Sequence, residues 1–300
     1  MSLPRFVLTA ASLFSLAIAT PRANAQVGGS REDLEFKWSK QIRAGGTLVI
    51  RNNNGPISVQ QASGDRVEVT ATKRVHPRGR AADVGFDVQE TGDQIEVCTI
   101  YGRQDSCRDR GNGGIDNVRV TVEFTVLVPR SARLRVATGN GKILIDRTGA
   151  DVSATTGNGD ISIGETAGRV DATTGNGDVQ IDGANGPVNV TTGNGRIFAV
   201  TSRGGVDANT GNGDIDVRIK SGPIERDMKF TSGSGTIRVA VPAEFNGRID
   251  ASSGNGSLRT EFEISIIGRL DSHHVRGTIG SGGPLIRMLT GNGMIELRKN

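Results

Sequence analysis

The sequence predicts an all-β protein: an elongated parallel β-solenoid of 18-residue, two-strand coils, with a less regular N-terminal cap region. Two periods and one composition point to it. The tetrapeptide Thr-Gly-Asn-Gly begins at Thr138, Thr156, Thr174, Thr192 and Thr210, at one constant spacing that equals the coil length. Apolar residues recur at half that spacing, at Ile143, Val152, Ile161, Val170, Val179, Val188, Ile197, Val206 and Ile215. The 300-residue chain has 43 Gly but one Trp and one Tyr. That balance suits a narrow aliphatic core with many tight turns rather than a wide core filled by aromatic volume. A fixed period marks a repeat architecture, in which each unit buries its apolar face only against its neighbours.

The half-period defines the strands. Next but one after each apolar position stands a second, as in Ile161/Ile163, Val170/Ala172 and Val179/Ile181. Side chains alternate across a strand, so apolar-x-apolar is a short strand with one inward face. Each half-period makes one strand and one turn, and a full period makes a flattened coil. Stacked coils pair each strand in parallel with its equivalent about 4.8 Å away. One inward row is mostly Ile and the other mixes Val with Ala. No helical apolar period is sustained C-terminal to Ala25, so helix should be scarce.

The turns account for the remaining repeat residues. Gly enters positive φ at little cost, and Asn tolerates it better than most. Asn140, Asn158, Asn176, Asn194 and Asn212 should stack in one column, their amides hydrogen-bonding along the axis as an asparagine ladder. The ladder itself requires Asn at the period, which favours a structural turn role over a ligand row.

The same phase extends in both directions. Towards the C-terminus Met228/Phe230 leads to Ile237/Val239, Ile249/Ala251 to Leu258/Thr260, and Ile286/Met288 to Ile295/Leu297, each at the half-period. The turns between these pairs grow: Ser221 to Arg226, Pro242 to Gly247, and Glu261 to Arg276. Towards the N-terminus Leu48/Ile50 precedes Ile57/Val59, Val67/Val69 follows, and Val118 to Val128 reads as one longer strand. The expected division is a signal peptide over 1–25, a lead-in over 26–45, and an irregular start over 46–130 with an insertion at 74–117. The regular solenoid follows over 131–220, then a solenoid with longer turns and a C-terminal cap over 221–300. Caps are expected because a bare end exposes unpaired strand edges.

The segment 1–25 has a basic start at Arg5, an apolar run from Phe6 to Ala19, and Ala23-Asn24-Ala25 as an A-x-A cleavage site. The run is short for a bilayer span, no Cys follows it, and no later stretch could cross a membrane as a helix. Export to the periplasm, the cell surface or the medium is therefore expected, with no transmembrane anchor. Removing Arg5 and Arg22 takes the net charge from +4 to +2. Basic and acidic residues are interspersed, without the concentrated patch of a nucleic-acid binder. Cys98 and Cys107 should form a disulfide in an oxidising compartment. Two thiols with no nearby His are too few ligands for zinc.

Several sites can be weighed on this sequence. Thr-Gly-Asn-Gly-Asp-Ile-Ser-Ile-Gly resembles the nine-residue repeat of calcium-binding β-rolls. The register differs, because that motif needs Asp next but one after its second Gly, where Ile143, Ile161, Val179, Ile197 and Ile215 stand. Asp160, Asp178 and Asp214 follow the Gly directly and share their column with Lys142 and Arg196, so no cation row is expected. Thr155, Thr173, Thr191 and Asn209 form an outward column, but no flat T-x-T face of an ice binder accompanies it. His273-His274 reads as a solvated loop, since adjacent residues on an extended chain point apart. No G-x-S-x-G elbow is present. One carboxylate pair merits mention: Asp171 and Asp207, two coils apart in the column Ser153, Asp171, Asn189, Asp207. They would lie about 9.6 Å apart, near the spacing in inverting glycosidases. No Trp or Tyr stands in the array to stack a sugar. No catalytic residue, metal or cofactor is expected.

Leu48 to Val59 (L-V-I-R-N-N-N-G-P-I-S-V), Val118 to Pro129 (V-R-V-T-V-E-F-T-V-L-V-P), the T-G-N-G turns, Gly277 to Gly280 and Thr290 to Ile295 together resemble a bacterial family labelled putative adhesins, a β-strand-repeat domain of unknown function. The resemblance spans residues 34–298. It implies an exported β-solenoid with a surface-adhesion role and brings no catalytic residues. The sequence thus points to a non-catalytic surface or periplasmic binding or structural module, with a protein or glycan partner. A carbohydrate-active β-helix enzyme is the alternative.

Overall fold

The computed structural model describes residues 26–27, 30–102, 104–107, 118–202, 205–221, 224–266 and 273–300. The expected signal peptide lies outside the described residues, as do parts of the insertion at 74–117 and of the long turns near 222 and 270. Among the described residues the strands form two sheets, of 14 and 12 strands, and the helical content is one 3-10 turn, Ala81–Asp83.

The 18-residue period sets the register through the regular coils, with one irregularity where Ile181 pairs with Ala199 but Ala184 with Thr201, and the step lengthens beyond them, where Asp207 pairs with Lys229 and Ile215 with Ile237. In the first sheet Arg133–Asn140, Val152–Asn158, Val170–Asn176, Val188–Asn194, Val206–Asn212 and Met228–Ser234 stack in parallel in chain order. Val152 stands beside Val170 and Ala154 beside Ala172. In the second sheet the stack is Ile143–Thr148, Ile161–Thr166, Val179–Ala184, Ile197–Thr201, Ile215–Ile219 and Ile237–Val241. A period-2 side-chain alternation makes such register strict, because a one-residue slip would turn every inward Ile to water.

The core is the slot between the two sheets. Ile143, Ile145, Ile161, Ile163 and Ile181 are fully buried from the second sheet, facing Val152, Ala154, Val170 and Ala172 from the first. Complete burial of each Ile or Val contributes about 1.5–3 kcal/mol. The strands outrun the apolar pair by one inward position, and this third position is Thr156, Thr174, Thr192 and Thr210, each also buried.

At the C-terminal end the coils do not stack in chain order. Leu285–Asn292 inserts between Met228–Ser234 and Gly247–Asn255, pairing in parallel with both. Ile295–Lys299 does the same between Ile237–Val241 and Leu258–Thr260. The last coil of the sequence is thus the penultimate coil of the stack. The stretch expected as one long turn from Glu261 to Arg276 instead contains Ser265–Ile266 and reaches into His274–Ile279. The latter runs antiparallel to Gly247–Asn255 and closes the end of the first sheet.

The N-terminal part also departs from simple succession. Thr47–Arg51 stacks directly on Arg133–Asn140, and Ile57–Gln61 on Ile143–Thr148, so the described strands between residues 62 and 130 form an excursion beyond the first coil. In that excursion Val120–Val128 continues the second sheet in parallel. Arg66–Val75 and then Glu35–Gln41 follow antiparallel. In the first sheet Gln94–Tyr101 pairs parallel with Thr47–Arg51, and Val84–Thr91 folds back antiparallel on it. Core aromatic volume, absent from the slot of the regular coils over 131–220, appears here: Phe36 stacks on Phe86 at 4.7 Å, and Phe86 meets Phe124 edge-on at 6.1 Å. Lys73 is buried over the Phe86 ring and donates to the carbonyls of Arg31 and Ala81. Loss of solvation lowers its pKa.

Candidate functional site

The turn between the sheets has a division of labour finer than glycine tolerance. Thr156, Thr174, Thr192 and Thr210 each donate their hydroxyl to a glycine carbonyl of the preceding coil at 2.9–3.0 Å. The asparagine amides run along the axis: Asn158 donates to Asn140, Asn176 to Asn158, Asn194 to Asn176 and Asn212 to Asn194, at 2.8–2.9 Å. Asn255 donates to Asn292 across the out-of-order coil. The aspartates weighed as calcium ligands have another employment. Asp160 Oδ1 accepts the backbone N–H of Asp178, Asp178 Oδ1 that of Arg196, and Asp214 Oδ1 that of Thr236, at 2.7–3.1 Å. The Asp178 N–H holds the Asp160 carboxyl below its usual range against the opposing effect of burial, and Lys142 at 3.2 Å adds to it. Each turn is thus cross-stitched to the next by a hydroxyl, an amide and, at these three turns, a carboxylate.

The outer face of the first sheet carries two columns. One runs Arg135, Ser153, Asp171, Asn189, Asp207, Lys229, Arg287, Asp250 and Arg276, and the next runs Thr155, Thr173, Thr191, Asn209 and Thr231. Asn189, Thr191, Asp207, Asn209, Lys229 and Thr231 border an open depression of about 370 Å³. The candidate carboxylates Asp171 and Asp207 lie either side of Asn189 as expected, and the Asn189 amide donates to Asp171 at 2.6 Å.

Near the end of this face the expectation of a solvated His pair fails for His274. It opens a strand, and its Nε2 lies 3.0 Å from Asp250 Oδ1. Arg276 and Arg287 donate to Asp250 Oδ2 at 3.2 and 3.1 Å. Burial raises the Asp250 pKa, but the hydrogen bonds from His274, Arg276 and Arg287 outweigh it and leave the carboxyl below its ordinary value. The cluster fastens the reversed C-terminal strand to the stack.

The outer face of the second sheet carries the feature that reading for ligands in the sequence passed over. Its central column is Leu144, Ser162, Gln180, Phe198, Asp216, Arg238 and Glu296. Phe198 is the middle residue of Ile197-x-Ala199, a position that alternation alone directs outward. It is half-buried, with the Arg218 guanidinium 6.0 Å from its ring centre. It sits in a shallow groove of about 490 Å³ with Gln180 and Asp216 along the column and Asp178, Arg196 and Asp214 along the turn edge. Arg238 spans to Asp214 at 3.6 Å and to Glu296 at 3.8 Å.

In the N-terminal excursion Cys98 and Cys107 are joined as a disulfide with Cα atoms 5.8 Å apart. The fold also brings Asp87 against them, from the strand opposite Cys98. Nothing in the local sequence around the cysteines announces that neighbour.

Two packed sheets of parallel, register-locked coils with antiparallel closures define a capped β-solenoid. The chain belongs to the Toastrack DUF4097 family, which it matches over residues 45–298. No curated protein matches it in sequence. Among solved structures it is similar to a putative adhesin from Bacteroides fragilis, at 10% identity and a TM-score of 0.48, over 91% of this chain and 100% of that one. A putative adhesin from Parabacteroides distasonis is similar at 11% identity and a TM-score of 0.39, over 87% and 96%. A putative cell adhesion protein from Clostridium sporogenes is similar at 10% identity and a TM-score of 0.23, over 89% and 100%. Family membership rests on the sequence match. Among the described residues no helix is long and apolar enough to cross a membrane.

Proposed function

We propose that this protein is an exported, non-catalytic, adhesin-like binding module of the cell surface or periplasm. It engages a protein or glycan of the envelope or its surroundings through the outer face that carries Phe198. The observation behind this reading is the Phe198 groove: an aromatic face set among Gln180, Asp216, Arg196 and Arg238 on a rigid sheet. Aromatic surface supplies contact area at little entropic cost, and flanking polar groups supply direction, the combination that marks binding hot spots. Export is read from the basic, apolar and A-x-A start of the chain. In that setting Cys98–Cys107 forms as a cross-link, and the asparagine column serves the fold rather than a ligand.

Binding is preferred to glycoside cleavage on geometric grounds. A general acid must be kept protonated by burial or a like charge. Asp171 stands on an open face and already accepts the Asn189 amide. Asp171→Asn combined with Asp207→Asn should therefore leave binding intact, and reproducible polysaccharide turnover lost in that double variant would overturn the non-catalytic reading.

The binding test compares the purified mature chain with Phe198→Ala against envelope glycans and envelope proteins. Binding should weaken roughly tenfold or more, with an unchanged melting temperature because the ring is not part of the slot core. Equal retention of ligand by both proteins would remove Phe198 from the site.

A further inference from the structure

The fold gathers a carboxylate and two sulfurs in the N-terminal excursion. Asp87 is fully buried, in the strand Val84–Thr91. Its Oδ2 accepts the Cys107 N–H at 2.8 Å and the Gln89 amide at 2.9 Å. Its Oδ1 is buried with no hydrogen-bond partner among the described residues, and no cation among them pairs with the carboxylate. Buried carboxylate oxygens are expensive to leave unpartnered, and such an orphan in a folded protein marks a strained or functional group. One oxygen of the Asp87 carboxylate and the sulfurs of Cys98 and Cys107 all lie within 4.8 Å of one another.

We propose that reduction converts the Cys98–Cys107 cross-link into a zinc site, with both thiolates and Asp87 as ligands and a water as the fourth. The reductant is a dithiol. Its two electrons and two protons break the S–S bond and make two thiols, while the dithiol closes to its own disulfide. Zinc then displaces the two thiol protons. The donor set fits the metal: Cys sulfur and Asp oxygen are ordinary tetrahedral zinc ligands, and three protein ligands plus water is a common open arrangement. The three ligands come from three places that the fold already holds, the two paired strands and the segment over them. Water can approach from the sulfur side, where Cys98 and Cys107 line a depression of about 160 Å³ together with Arg51, Asn52 and Thr99. The hydrogen bonds from Cys107 and Gln89 account for Asp87 Oδ2 but not for its buried Oδ1, which a metal ion would satisfy. Oxidation state would then decide whether this cap is tied by a covalent bond or by an ion.

The test titrates the whole chain with zinc alone against a chromophoric chelator, oxidised and after reduction by a phosphine. The reduced chain should bind one zinc and the oxidised chain none. Cobalt in place of zinc should give the sulfur-to-metal charge-transfer and visible bands of a tetrahedral thiolate site. Asp87→Asn keeps the volume and an acceptor for Cys107 and Gln89, and it should weaken zinc binding by about tenfold or more. Cys107→Ser, on the covering segment outside the strands, is the second variant and should abolish the cobalt charge-transfer pattern of two thiolates. Absence of zinc binding by the reduced chain overturns the proposal, as does unchanged affinity in Asp87→Asn or an unchanged cobalt spectrum in Cys107→Ser.

Discussion

Replacing Ile161 by Asp is expected to unfold the middle of the solenoid or to lower stability by several kcal/mol, the cost of an unpaired charge in an apolar interior. Ile161 is fully buried between Ile143 and Val179 in its own sheet. No cation could reach it in a slot lined by Ile, Val and Ala. The damage should spread, because each coil is stabilised through its neighbours and a broken coil exposes two new sheet edges. Ser162→Asp is the matched control. Ser162 points outward between Leu144 and Gln180, and its change should stay within about 0.5 kcal/mol. Thermal or urea melts of the two variants provide the measurement, and similar losses in both would refute the inward and outward assignment.

The second large effect is expected from Gly177→Ala. Gly177 has φ of +150°, and an added Cβ would stand 2.2 Å from the carbonyl oxygen of Gly159 in the coil before. The strained backbone costs about 1–3 kcal/mol. Relieving the clash requires a local spreading of coils otherwise held by the Thr174 hydroxyl and the Asn176 amide, at a further cost of roughly 1–3 kcal/mol. Gly183→Ala is the control, since its Cβ would meet only Glu165 carbons at 3.6 Å or more and its φ is not positive. That change should be neutral or stabilising by a few tenths of a kcal/mol. A melting temperature for Gly177→Ala equal to that of Gly183→Ala would mean the second glycine of Thr-Gly-Asn-Gly is not required by the turn.

The contrast between these glycines shows where sequence reading had purchase. Gly177 and its equivalents were legible as turn residues because they recur with the asparagine. The close approach of coil to coil, which makes a Cβ intolerable there, appears only once the coils are stacked. The threonine of the motif is a similar case. Alternation places Thr155 outward and Thr174 inward, but that the buried Thr174 donates to a carbonyl one coil away appears only in the stacked structure. The aspartates after the motif differ from the calcium pattern in register, which the sequence shows directly. Their bonds to backbone N–H groups of the next coil were not foreseen, because the partner lies a full coil further along the chain. Phe198 was accessible to the same alternation rule that placed Ser162 outward, and it was missed because only Trp and Tyr were sought.

By itself the sequence determined the two-strand coil, its 18-residue register, the inward Ile and Val rows, and the asparagine column. All of these follow from translation: when each unit repeats the last, local alternation and turn chemistry fix the neighbour as well. Tertiary structure alone decided the rest. It placed coil 286–297 inside the stack, turned His274–Ile279 back across the end, and laid the described strands between residues 62 and 130 outside the first coil. It also brought Asp87 to Cys98 and Cys107. Where the period breaks, nothing local says which strand edge a segment will join. That choice belongs to the competition among open edges for backbone hydrogen bonds and apolar cover, which is settled only by the whole fold.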